Sequence, residues 1–365
     1  MTSTAGVELR TQPTQRLHTL TVLRFAAALF VVLHHSIGPD RPAGIRLGYL
    51  GVSFFFVLSG FVLAWSYRPG MRWRDFWRNR AARIVPLYWV MIAAGAVLPM
   101  ALRVSPLSVT AAFALVQAWF PDGNVRYGVH SAAWSLSTEA FFYAVFPIFF
   151  VAVARWARRA GVAAACAGGA WVVFVAVGWA VTGRLSPYDY WFTYAFPPYR
   201  FGEFAVGVLL ARAWRLGWRP PAPRWLLLAL AVACLGAVAA TDWHEGGMPR
   251  WQAEVSATAG IALLLLWAVG SEVGGVRPWW ATSALVRLGE WSYALYLVHP
   301  LVIRVVADLW GLPEAGNMPL APAVVVVLAS VPLSGLLCEG IEKPLERRLR
   351  SPRGQGTQPV MITQA

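Results

Sequence analysis

Along this chain, long apolar runs alternate with short polar or basic interruptions, and the runs define its elements. A transmembrane helix needs about 20 predominantly apolar residues to cross a hydrocarbon core ~30 Å thick. The hydropathy pattern predicts such spans at 18–37, 48–66, 85–102, 134–154, 161–182, 198–214, 225–241, 254–271, 286–306 and 320–341. The stretch 103–133 is too polar overall to be a clear span. Residues 108–120 within it read as an interfacial or re-entrant helix, which would make the count eleven if it crossed. The expected fold is therefore all-α, a polytopic membrane helix bundle of about ten transmembrane helices over residues 17–350. Polar tails, expected to be disordered, flank it at 1–16 and 351–365.

Basic residues orient the spans. Arg68, Arg72, Arg74, Arg78, Arg80 and Arg83 crowd one loop, and further basic residues follow at alternate loops and at the C-terminal end. The intervening loops hold only Arg41, Arg46, Arg103, Arg126, Arg184 and Arg250. By the positive-inside rule both termini are expected in the cytoplasm, with the protein crossing the inner (plasma) membrane many times. With 58% hydrophobic and 13% charged residues, no soluble domain of useful size remains between the runs. The net charge of +14 arrives in short bursts without an aromatic-basic stripe, so the expected surroundings are lipid bilayer and not nucleic acid. Arg10 and Arg16 before an apolar stretch resemble a signal peptide. Arg24 inside that stretch, and no small-residue cleavage site after His35, argue for an uncleaved first span. Cys166, Cys234 and Cys338 lack metal-ligand spacing and read as buried structural thiols. No internal repeat is visible, so nothing favours a transporter built from duplicated halves.

Candidate chemistry begins with Arg24 and His35 in the first span, LTVLRFAAALFVVLHHS. An arginine inside a bilayer-spanning segment is costly and marks function by default. Eleven residues return to within about 20° of the same helix face, some 16 Å further along the axis, whereas His34 falls about 80° away. Taken singly, either residue could instead be an interfacial anchor or a satisfied buried polar group. Glu139 (WSLSTEAFFY), Arg200 and Glu203 (YRFGEFAVG) and His299 (WSYALYLVHP) lie near the outer ends of their spans. With His35 they could meet at one level, where a carboxylate orienting an imidazole would make a general base. The alternative is that Glu139, Arg200 and Glu203 form buried ion pairs that fix packing. A His, His, Glu metal site is disfavoured, because no two of the ligands share a helix at short spacing. Arg80 and Arg83 stand one helical turn apart in RNRAARIVPLYW, so they could clamp a phosphate or merely signal topology. The small residues of GVSFFFVLSGF suit close helix packing as well as a substrate path. Glu339, Glu342 and Glu346 in CEGIEKPLERRLR read as a solvated helix end with local ion pairs.

Taken in order, Arg24 with His35, GVSFFFVLSGF, RNRAARIVPLYW, WSLSTEAFFY, YRFGEFAVG, WSYALYLVHP and EKPLERR resemble the membrane acyltransferase 3 family over residues 17–350. The resemblance implies a ten-helix membrane domain that moves an acyl group, commonly acetyl, from acyl-CoA to a hydroxyl of a sugar, polysaccharide or secondary metabolite. It implies that Arg24 and His35 match the family's essential Arg and His, and that Arg80 and Arg83 match its cytoplasmic Arg pair. On this reading acyl-CoA is a substrate and no cofactor stays bound. Arg80 and Arg83 would meet its phosphates, and Arg24 would stabilise the thioester or the phosphates. His35, oriented by Glu139, would deprotonate the acceptor or briefly carry the acyl group, and Arg200, Glu203 and His299 would form a possible acceptor site. Some family members carry an extracytoplasmic esterase-like domain, so this chain is expected to finish the transfer alone, to use a separate partner or to need none. The rival readings are a transporter or flippase of a lipid-linked glycan, and a structural partner of a polysaccharide synthase.

Overall fold

A computed structural model describes residues 17–37, 42–68, 70–97, 104–240, 250–276, 278–312 and 318–351. The tails 1–16 and 352–365, with Arg10, Arg16 and Arg353, lie outside the described residues, as do Arg41, Arg103 and Arg277. The elements in order are α1 (His18–Ser36), α2 (Ala43–Arg46), α3 (Leu50–Ser66), α4 (Trp73–Val97), α5 (Pro106–Phe113), α6 (Gly123–Tyr127), α7 (Trp134–Trp156) and α8 (Ala160–Val181). They continue as α9 (Asp189–Tyr194), α10 (Pro197–Arg215), α11 (Arg224–Ala240), α12 (Arg250–Val273), α13 (Ser283–Trp310), α14 (Leu320–Leu337) and α15 (Lys343–Leu349). Among the described residues a helix thus falls on each predicted span. Eight helical segments among the described residues are long and apolar enough to cross a membrane, two fewer than expected. The two that fall short are α10, which carries Arg200, Glu203 and Arg212, and α11, which has 17 residues.

Other departures from the expected pattern bear on the site. Most of the arginine-rich stretch read as a loop, from Arg74 to Arg83, is the first half of α4, which starts at Trp73 and runs unbroken through Pro86. Proline 86 lacks only one donor, and the apolar half beyond it packs inside the bundle, where Leu87, Tyr88 and Ile92 are fully buried. The C-terminal span likewise runs on, through a π-helical turn at Cys338–Glu342, into α15. Of the cysteines only Cys338 is buried; Cys166 is exposed on α8 and Cys234 is intermediate, so the expected burial fails for Cys166.

The polar stretch after α4 folds back into the bundle, as a re-entrant segment does. Tyr88, about 22 Å from the start of α4, donates to the Ala112 carbonyl at the end of α5 (2.6 Å), and Trp89 donates to Phe113 (3.1 Å). The buried Gln117 side chain donates to Tyr88 Oη (3.0 Å) and to the Ala133 carbonyl (2.9 Å). Irregular backbone at membrane depth is tolerated where protein groups satisfy it. In consequence α7 begins already deep, with Trp134 packed edge-on against Phe56 of α3.

Two contacts fix the frame of α1 and α3. The first two amides of α1 are capped by the carboxylate of Glu272 on α12, at 2.7 Å from His18 N and 2.9 Å from Thr19 N. A carboxylate suits the positive end of a helix, and none is available within α1 itself. Helices α3 and α10 cross so closely that a Cβ on Gly60 would overlap the Phe204 carbonyl oxygen, and one on Gly207 the Val57 carbonyl oxygen. For Gly60, in GVSFFFVLSGF, packing is therefore the reason glycine is required.

Candidate active site

A cavity of about 910 Å³, including its open side, lies among α1, α3, α4, α7 and α13. Its polar wall is Arg24, Arg80, Arg83, Glu139 and Tyr143, and its apolar wall includes Val52, Phe55 and Leu63. Along α3 the lining runs from Val52 to Leu63, about 16 Å of helix. Ser59 donates to Glu139 Oε1 at 2.9 Å, and Tyr143, one turn beyond Glu139, donates to the same oxygen. Arg24 lies within electrostatic reach of Glu139, Arg83 and Glu342, yet among the described residues neither Arg24 nor Arg80 makes a hydrogen bond or ion pair. Two guanidinium groups thus face a partly apolar cavity with donor capacity unspent. Ser292, fully buried in the lining, also has a hydroxyl without a partner among the described residues.

Arg83 differs from Arg80. Its Nη1 pairs with Glu342 Oε1 at 2.6 Å and with Glu346 Oε2 at 2.8 Å. Glu342 is buried, which corrects its reading as part of a solvated end. The π-helical turn and the run-on of α14 carry the carboxylate inward against α4. Glu339 behaves as expected, pairing with Lys343 one turn away at 2.7 Å, and Glu346 makes a local pair with Arg350 at 3.4 Å besides its pair with Arg83.

His35 stands apart from this cavity. Its Nδ1 lies 2.9 Å from Nε2 of His299, with the two ring planes only 3° apart. Tyr296, one turn before His299, packs against that imidazole and also lines the cavity, its hydroxyl held by Ser135 (2.7 Å). Tyr296 therefore stands between the imidazole pair and the cavity that the arginines line.

Of the five residues expected to meet at one level, His35 and His299 do come together, whereas Glu139, Arg200 and Glu203 do not join them. Glu139 is shallow only if α7 starts at the membrane surface. Because the re-entrant segment has already carried the chain inward, Glu139 lies beside Ser59, midway along α3 and near Arg24, and it does not bond to His35. Arg200 and Glu203 form a third group. Arg200 pairs with Glu203 (3.1 Å) and Glu254 (2.6 Å) and donates to Ser53 Oγ (3.0 Å), every charged member being fully buried. This is the ion-pair alternative, and it separates Arg200 and Glu203 from His299.

Several members of these groups escaped the sequence reading. Tyr143 was signalled by its i, i+4 spacing from Glu139. Glu254, an acid at the entry of a span, invited the question that Arg200 had raised. The burial of Glu342 gave no local signal, since its partner Arg83 is remote in sequence.

Residues 17–339 match a protein-family model described as an acyltransferase domain. The acyltransferase MdmB of Streptomyces mycarofaciens is 33% identical, over 95% of this chain and 96% of that protein. The exopolysaccharide production protein ExoZ of Rhizobium meliloti is 31% identical, over 84% of this chain and 92% of its own length. The peptidoglycan O-acetyltransferase OatA of Listeria monocytogenes is 26% identical over a shorter region, 38% of this chain and 24% of that protein. No solved structure matches. The family-model match spans the helices that carry the arginine cavity and the imidazole pair, and with the likeness to MdmB it sets aside the transporter and structural-partner readings: the chain belongs to the acyltransferase family and is an acyltransferase.

Proposed function

We propose that this enzyme is an integral membrane O-acyltransferase that moves a short acyl group, such as acetyl, from acyl-CoA to a hydroxyl of a sugar, polysaccharide or secondary metabolite. The observation that carries the reading is one helix, α1, presenting Arg24 to a cavity with unspent guanidinium donors and His35 to a second imidazole about 16 Å further on. A donor with an anionic head and a long narrow arm suits that separation. Arg80 and Arg24 meet phosphate or thioester oxygens, Arg83 lends charge while anchored by α15, and the arm runs along the apolar wall toward Tyr296. The names of the relatives, with exopolysaccharide production and peptidoglycan O-acetylation among them, support a hydroxyl-bearing glycan as one acceptor class.

In the proposed step His35 takes the acceptor's hydroxyl proton, the oxygen attacks the thioester carbonyl, the C–S bond breaks, and the proton passes to the leaving thiolate. A positioned base contributes ~10²- to 10⁴-fold to rate. Glutamine keeps much of the size and hydrogen-bonding capacity of histidine without its basicity. His35→Gln should therefore leave membrane abundance normal and remove the acyl group from the cell's glycans or metabolites, as read by mass spectrometry of cells with and without the gene. His34→Gln should be much milder. Equal loss in both, or normal acylation with His35→Gln, would overturn the assignment. The donor is read separately, as CoA thiol released from acetyl-CoA by membrane vesicles.

A further inference from the structure

The imidazole pair contains more than proximity. His299 is fully buried, and its Nδ1 lies 3.3 Å from the carbonyl oxygen of Leu295, one turn earlier on α13. A carbonyl can only accept, so in the neutral ring the proton of His299 belongs on Nδ1 and its Nε2 carries a lone pair. Facing that lone pair at 2.9 Å, His35 Nδ1 must be the protonated nitrogen of its own ring, which puts the basic lone pair of His35 on Nε2. The turn that carries His299 is itself held from outside. Pro300 deprives the Tyr296 carbonyl of its helical donor, and the buried His130 donates from Nε2 to the Leu297 carbonyl at 2.7 Å.

We infer that His299 is the positioning residue of the base: it fixes the tautomer and plane of His35 so that Nε2 takes the acceptor's proton. The inference rests on the proposed acyl transfer and fills the orienting role that Glu139 was expected to play. When Nε2 of His35 takes the hydroxyl proton, the Nδ1–H of the resulting imidazolium stays donated to His299 Nε2, whose lone pair stabilises the new charge. As the acyl carbon–oxygen bond forms and the C–S bond breaks, the proton on Nε2 passes to the thiolate and the neutral pair is restored. His299 exchanges no proton with a substrate in this scheme, which a neutral acceptor of the same reach could therefore imitate.

The test uses membrane vesicles holding the full chain, acetyl-CoA, and a glycan and metabolite extract from cells lacking the gene, with released CoA thiol as readout. His299→Leu should lower kcat on the order of 10²-fold and leave KM for acetyl-CoA unchanged. His299→Gln, whose amide oxygen can sit near the former Nε2 and accept from His35, should stay within about tenfold of the parent, whereas the shorter His299→Asn should behave like His299→Leu. Adding His299→Leu to His35→Gln should cost nothing further, because the two residues act as one unit. Full activity of His299→Leu, equal impairment of the Gln and Asn variants, or losses that multiply in the double variant would overturn the inference. If His299→Leu does not accumulate in the membrane, the Gln and Asn pair decides the matter. Parent vesicles that release no more thiol than vesicles lacking the protein would instead sink the acyl-transfer reading.

Discussion

Arg80 and Arg83 should part company when each is replaced by alanine. Arg83 joins a carboxylate that is 1% exposed at 2.6 Å, while its own side chain is 25% exposed. At an effective dielectric constant near 20, charges about 4 Å apart attract by ~4 kcal/mol before desolvation is charged against them. Breaking a buried pair by removing one partner costs ~3–5 kcal/mol. Because Arg83 is partly solvated, and Glu342 can shed its charge by taking a proton, roughly 2–3 kcal/mol is the better expectation for Arg83→Ala. Glu342→Gln leaves Arg83 paired with Glu346 and should cost only about 1 kcal/mol. The double variant Arg83→Ala with Glu342→Gln should recover most of the loss, since no buried carboxylate is then left alone. Arg80 has no such partner among the described residues, so Arg80→Ala should leave stability near the parent's and raise KM for acyl-CoA; Arg80→Lys should restore it only in part, lacking the bidentate fork. The assay is the temperature at which half of the detergent-extracted protein stays monodisperse, set beside KM for acetyl-CoA in vesicles. At ~2–4 °C for each kcal/mol in chains of 150–250 residues, Arg83→Ala should fall by several degrees. An Arg83→Ala protein as heat-resistant as the parent, with only KM raised, would refute the ion-pair account and make Arg83 a phosphate ligand like Arg80.

Gly60→Val or Gly207→Val should prevent accumulation in the membrane, because either side chain would overlap a carbonyl of the facing helix; normal abundance by immunoblot would mean that α3 and α10 do not cross so closely. Arg200→Ala leaves Glu203 and Glu254 buried without their cation and should cost ~3–5 kcal/mol, whereas Glu254→Gln keeps the Arg200–Glu203 pair and should be milder in the same thermal assay. Fusions to a reporter active only outside the cytoplasm should be silent at residue 75 and after residue 350 and active near 43 and 245; activity at 75 would reverse the orientation on which the donor side rests.

By itself the sequence determined the class of the molecule and the place of its helices. The twenty-residue apolar requirement and the cost of a lone arginine among apolar residues act locally, so His18–Ser36, Trp134–Trp156 and Ser283–Trp310 are legible without any partner, as is Arg24 as a residue to watch. The in-line register of Arg24 and His35 was legible too, because it follows from the helical repeat alone. What no local rule could supply was depth and partnership. Glu139 was placed beside His35 by counting from the start of its helix, and the count failed because the preceding segment re-enters the bundle on hydrogen bonds from Tyr88 and Gln117. Glu342 looked solvated because its neighbours in sequence are charged, yet a π-helical turn sends it to Arg83, some 260 residues earlier in the chain. His299 acquires its role only where α13 meets α1. Hydrogen bonds and ion pairs act over about 3 Å between atoms whose sequence separation carries no energy, so only the packing of the helices decides which of the marked residues meet.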